Sequence, residues 1–273
     1  AIEYEAGLYT IATHRMAFYV APDGRLLVYA SAVGGNLDLY LLRVGGDRAI
    51  PLTTDPADDS QAAFSPDGER LAFRSGRAGG GIFVLGASGE SVRRGPDGGF
   101  EPAWAPAGKR LAFATQMVRD PVSRLGNSEL YIVDIESGQR SRRLAGDAMQ
   151  PAWTSHGDRI AYWANTEGQR DIWTVAASEG EPVAITEDAA TDWSPEWSPD
   201  GHWLYFSRDR GGSYNLWRIA NDPATKGPAG DPQPVTTGVR GMGYARWASD
   251  GSRLAVMAYE RSFEQTLYTL EKG

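Results

Sequence analysis

A five-residue turn, met six times along the chain, restricts the fold more than any other feature. Its clearest copy is Trp197-Ser198-Pro199-Asp200-Gly201, followed by Leu204-Tyr205-Phe206. Pro199 presets φ for the second turn position, Asp200 suits the third, and Gly201 accepts the left-handed conformation that closes the turn. An aromatic strand enters and an apolar strand leaves. Anchored on the glycine, the copies fall at Gly24, Gly68, Gly108, Gly157, Gly201 and Gly251, at intervals of 44, 40, 49, 44 and 50 residues. Each copy also carries a later aliphatic–aromatic pair, from Leu39-Tyr40 to Leu267-Tyr268.

A period of this size belongs to four-stranded propeller blades or to helical arrays. Gly- and Pro-rich turns between short aromatic and β-branched runs exclude the arrays. Strand a of each unit ends at the turn, strand b carries runs such as Leu71-Ala72-Phe73, and strand c carries the aliphatic–aromatic pair. Apolar residues at consecutive positions of strand b mean burial on both faces, the environment of a blade between two neighbours. The last copy stops after strand c, while Ile2–Tyr9 precede the first strand a without a blade of their own. The expectation is an all-β, six-bladed propeller over residues 1–273, closed by Ile2–Tyr9 pairing beside Leu267–Leu270. Closure removes the exposed sheet edges that invite aggregation.

The segments Ala63–Ser75 and Trp197–Trp217, with their aromatic, Ser-Pro-Asp-Gly turn, apolar run and Ser-Arg-Asp-Arg-Gly-Gly, resemble the β-propeller repeat of the TolB family. The resemblance covers essentially the whole chain. It implies a non-catalytic scaffold that binds a protein or peptide, outside the cytoplasm or in the periplasm. The same repeat occurs in sensor domains and in accessory domains of peptidases, so a small-ligand sensor or gating domain stays open beside it. A lyase or hydrolase acting in the channel is the third reading. The chain begins at Ala1, compatible with a removed leader or with a domain cut from something larger.

The formal net charge of −8, with arginines scattered among acids, argues against a nucleic-acid binder. The lack of cysteine excludes disulfides, thiolate metal sites and cysteine nucleophiles. No apolar run reaches the 18 residues a membrane span requires. The three histidines, His14, His156 and His202, form no cluster, and no Gly-x-Ser-x-Gly elbow appears, which disfavours hydrolytic chemistry. Asp55, Asp58 and Asp59 lack the spacing of a calcium loop and read as turn-capping acids. No cofactor is called for, although the resemblance leaves room for a weakly bound calcium ion in the channel or acidic loops. A monomer without membrane insertion is expected.

The connections from strand d to the next strand a, and from b to c, share one face and vary in length, as binding loops do. The longest, Gln116–Ser128, carries Arg119, Asp120 and Arg124; Asn221–Pro234 is a c–d insertion on the opposite face. Within the variable set, Asp192 with Trp193, and Arg208 with Arg210, are candidate partner contacts, Trp193 as an exposed aromatic. Arg208 and Arg210 have a second reading as partners of acids on neighbouring blades. In strand a, the residues seven and five before each glycine are mostly small or polar. They predict a channel mouth of Gln61, Glu101, Gln150, Ser194 and Tyr244. Below it, Glu196 and Arg246 should pair across adjacent blades, leaving Glu101 as the unpaired charge that draws a cationic group.

Overall fold

The computed structural model describes residues 9–11, 18–117, 127–210, 212, 214–237, 241–248, 251, 253–259 and 265–271. It is an all-β propeller of four-stranded antiparallel blades. β1 spans Tyr9–Ile11. Blade 1 follows as β2 (Phe18–Val20), β3 (Leu26–Ser31), β4 (Asp38–Arg43) and β5 (Ala49–Pro51). Blade 2 is β6 (Asp59–Phe64), β7 (Arg70–Ser75), β8 (Gly81–Gly86) and β9 (Arg93–Asp97). Blade 3 is β10 (Phe100–Trp104), β11 (Arg110–Ala114), β12 (Leu130–Asp134) and β13 (Arg140–Leu144). Blade 4 is β14 (Met149–Trp153), β15 (Arg159–Thr166), β16 (Gln169–Ala176) and β17 (Val183–Ala184). Blade 5 is β18 (Thr191–Trp197), β19 (Trp203–Asp209), β20 (Tyr214–Ala220) and β21 (Gln233–Pro234). These five blades are continuous in the chain. A composite sheet joins β22 (Gly241–Trp247), β23 (Arg253–Tyr259) and β24 (Gln265–Glu271) to β1, in the order β1-β24-β23-β22.

The two chain ends pair as expected at Tyr9, which stands opposite Leu267, and among the described residues the pairing continues with Thr10 opposite Thr266 and Ile11 opposite Gln265. Residues 2–8 lie outside the described residues, as do His14, Arg119, Asp120 and Arg124. Innermost strands pack in sequence: β2 on β6, β6 on β10, β10 on β14, β14 on β18, β18 on β22, and β22 back on β2.

The turn behaves as its chemistry dictates. At Ser198–Gly201 the Gly201 amide donates to Ser198 O at 2.8 Å, and Gly201 has φ +71°. Ser198 Oγ accepts the Trp203 amide at 2.9 Å and donates to Asp200 Oδ1 at 2.5 Å, while Asp200 Oδ1 also accepts the His202 amide. The core lies between blades rather than within them. One cluster brings Met149 and Trp163 of blade 4 against Trp193, Trp197 and Phe206 of blade 5; another brings Val28 and Leu39 of blade 1 against Leu71 and Phe73 of blade 2. Two of the repeated aromatics of strand a also bond across the neighbouring seams. The Trp104 indole N–H donates to Ala63 O and the Trp153 indole N–H to Ala103 O, each at 3.0 Å and each across a seam.

Candidate functional site: the channel mouth and the loop face

The channel mouth rests on a backbone device that repeats around it. Gln61, Glu101, Gln150, Ser194 and Tyr244 all have φ between 50° and 53°. Each sits where the register between strands a and b slips, for example between Ser60 and Ala63 or between Trp193 and Glu196. These are β-bulges whose left-handed position is filled by a non-glycine residue, at a cost of about 1–3 kcal/mol each. The compensation comes from the neighbouring blade. Gln61 Oε1 accepts the Glu101 amide at 3.1 Å, Glu101 Oε2 accepts the Gln150 amide at 3.0 Å, and Gln150 Oε1 accepts the Ser194 amide at 3.1 Å. Ser194 is too short to continue the series. Ser207 Oγ on β19 accepts the Tyr244 amide instead, at 3.2 Å. Gln150 Oε1 also accepts the Trp163 indole N–H at 2.7 Å. The expected channel-mouth residues are therefore brought to one level, but the side chains of Gln61, Glu101 and Gln150 are engaged in holding the ring together.

Two residues deeper, Arg246 Nη1 lies 3.5 Å from Glu196 Oε2, with side chains 24% and 19% exposed, as the sequence position predicted. Arg246 also covers the Tyr19 ring at 5.6 Å. Burial pushes the Glu196 carboxyl up, against the pull of Arg246. Burial pushes Glu101 up to about 8, partly opposed by its hydrogen bond from the Gln150 amide and by Arg246. Near neutral pH this shift favours the protonated carboxyl over the free anion expected at Glu101, because the protein around it offers little compensation for a charge. Tyr244 is pushed to about 12 by burial and by Glu101.

On the loop face three expectations change. Trp193 lies in β18, 4% exposed, edge-on to Tyr214 at 5.1 Å, so it is core and no contact residue. Asp192 and Arg208 are buried together; Arg208 Nε donates to Asp192 Oδ1 and Nη2 to Asp192 Oδ2, at 2.8 and 2.9 Å. Arg208 also reaches Asp188 at 2.9 Å. The pair belongs to one blade rather than to neighbours, and its bidentate geometry leaves the arginine no spare fork. In blade 2 the buried Asp59 is likewise paired with an arginine, Arg77 of the b–c connection, through one oxygen at 2.5 Å. Arg210 remains exposed, 5.7 Å from the Trp217 ring. Asp55 and Asp58 accept the amides of Ala57 and Leu37. Among the described residues no group of three or more His, Asp or Glu side chains is placed to hold a metal ion. His156 and His202 are exposed in the a–b turns. No helix of the described residues is long and apolar enough to cross a membrane.

Sequence reasoning overlooked the most exposed apolar side chains. Val33 and Met117, 82% and 39% exposed, stand on b–c connections, and Tyr214, 37% exposed, opens strand c of blade 5 at the b–c end, so the three share one face. Ile50 and Val92 are exposed elsewhere, on β5 and in a c–d connection.

The family model of the TolB beta propeller domain matches residues 9–120 and 100–271. The uncharacterized peptidase YuxL of Bacillus subtilis is 26% identical over 200 residues, covering 68% of this chain and 28% of that protein. The Tol-Pal system protein TolB of Desulfosudis oleivorans is 32% identical over 86 residues, 30% of this chain and 20% of that protein. The chain spans less than a third of the length of either relative. Among solved structures, a TolB-like protein of Agrobacterium tumefaciens superimposes with a TM-score of 0.69 at 23% identity, over 94% of this chain and 90% of that one. With the repeat, the blades and the family match in agreement, the chain belongs to the TolB beta propeller domain family.

Proposed function

We propose that the chain is a non-catalytic binding scaffold that engages a protein or peptide through its d–a/b–c loop face, outside the cytoplasm and as a monomer. The composite sheet acts as the sixth blade of a closed ring, a reading supported by the packing of β22 on β2. The observation that carries the function is the exposure of Val33, Met117 and Tyr214 at the b–c end of blades 1, 3 and 5, on the face that also bears the variable loops. Variable loops on a rigid scaffold are the usual seat of binding, and these side chains give that face apolar contact points on three of its blades. The Tol-Pal relative supports the protein-binding and extracytoplasmic parts of the reading.

A second reading rests on the YuxL match, which covers most of this chain but only 28% of that peptidase. In it the propeller is an accessory domain that gates access to a hydrolase. The test is affinity capture of partners with the intact chain, with a Val33→Ser/Met117→Ser/Tyr214→Ser variant, and with a His202→Ala variant on the opposite face. The scaffold reading expects capture to fail only with the first variant. Equal capture by all three would overturn it.

A further inference from the structure

Arg74 breaks the repeat. The position six residues after the turn glycine holds Ala30, Ala114, Trp163, Ser207 and Met257 in the other copies. It faces the next blade: Ser207 Oγ bonds the Tyr244 amide across the seam, and the Arg74 guanidinium lies 4.9 Å over the Phe100 ring of blade 3. Only blade 2 places a permanent cation there.

That cation is poorly compensated. Arg74 is half-buried, its Nη1 donates to Gly81 O at 3.2 Å, and its Nε is buried without a partner among the described residues. Burial lowers its pKa, and no carboxylate among the described residues pushes the other way. The arginines around it differ. Arg77 is paired with Asp59 at 2.5 Å and Arg94 with Asp97 at 2.6 Å. A desolvated guanidinium without a counter-charge is costly to keep. The backbone nevertheless closes on it: a Cβ at Gly80 would lie 2.5 Å from Arg74 Nη2. At Gly79 and Gly98, on the two loops that flank this seam, a Cβ would meet nothing within 4 Å, so there is open space beside both glycines.

We propose that the seam between blades 2 and 3 is a binding site for a carboxylate, held by the fork of Arg74. One cation without a carboxylate partner among the described residues, with Arg77 and Arg94 already paired, suits a monoanion better than a phosphate. A peptide C-terminus and an Asp or Glu side chain share this chemistry. The inference is independent of the loop-face partner, because a small carboxylate suffices to test it.

The experiment follows the Arg74 Nε–H resonance by NMR during titration with N-acetylglycine, N-acetylglycinamide and the α-amide of N-acetylaspartate. Calorimetry on Arg74→Gln and Arg74→Lys accompanies it. The expected result is a saturable shift with the two carboxylates and none with N-acetylglycinamide, the tighter carboxylate naming the source. Arg74→Gln should lose binding, and Arg74→Lys should weaken it about tenfold through loss of the planar fork. Melting of both variants should match or exceed that of the wild type. An equal response to the amide, no response to either carboxylate, or unchanged binding by Arg74→Gln would overturn the proposal. If Arg74→Gln fails to fold, unchanged binding by Arg74→Lys would overturn it as well.

Discussion

Removing the positive member of the Glu196–Arg246 pair should destabilise the propeller more than removing both charges. At 3.5 Å and an effective dielectric of 20, the gross attraction is about 5 kcal/mol. Much of it is offset by desolvation, since burial raises the Glu196 pKa despite Arg246. The informative variants keep shape. Arg246→Met retains a long side chain over Tyr19, and Glu196→Gln retains the oxygen that accepts the Trp247 amide at 3.3 Å. Arg246→Met should cost about 2–4 kcal/mol at pH 7.5, because a carboxylate is left in the channel wall without its partner. Adding Glu196→Gln should recover at least ~1 kcal/mol of that. The pH dependence has a fixed sign. A folded pKa above the ordinary 4.5 means that the folded state holds its proton longer, so stability is highest below 4.5 and falls as pH rises. Without Arg246 the folded pKa climbs further, so the penalty of Arg246→Met should shrink as pH falls to 4. Urea denaturation of the four proteins at both pH values measures this. Effects additive within about 0.5 kcal/mol, or a penalty independent of pH, would refute the reasoning.

Glu101, pushed to about 8, should make wild-type stability fall between pH 4.5 and 8, by up to ~1.4 kcal/mol per pH unit, and Glu101→Gln should flatten that profile in thermal melts. Trp197→Ala should cost about 3–5 kcal/mol, since the side chain is 5% exposed within the seam of blades 4 and 5; a loss below about 1 kcal/mol would contradict the packing. Deleting residues 1–11 removes β1 and leaves β24 as an unpaired edge, so the truncated chain should aggregate and melt lower, as light scattering and calorimetry would register.

What could be read from the sequence depended on whether local chemistry or the ring decided the outcome. The Ser-Pro-Asp-Gly turn, the buried run Leu71-Ala72-Phe73 and the facing of Glu196 and Arg246 followed from spacing alone, because period and pleat determine them. The left-handed bulges did not. Gln61, Glu101, Gln150, Ser194 and Tyr244 include no glycine or asparagine to signal positive φ, and the hydrogen bonds that sustain the last four come from residues 37 to 49 positions away. Trp193 reads as a loop residue from spacing because blade 5 starts its strand early, at Thr191. The available signal was Asp192, which shares its repeat position with Asp59; both are buried acids with arginine partners. The burial that pushes the Glu101 carboxyl up depends on protein supplied by several blades at once, and no local pattern encodes it.

Site-specific photo-cross-linking compares the two faces of the ring directly. A photoreactive phenylalanine placed at Val33 or Tyr214 on the loop face, and at His202 in an a–b turn, should capture the same partner from the first two positions and none from the third. Capture from His202 alone, or equal capture from all three positions, would contradict a loop-face binding scaffold.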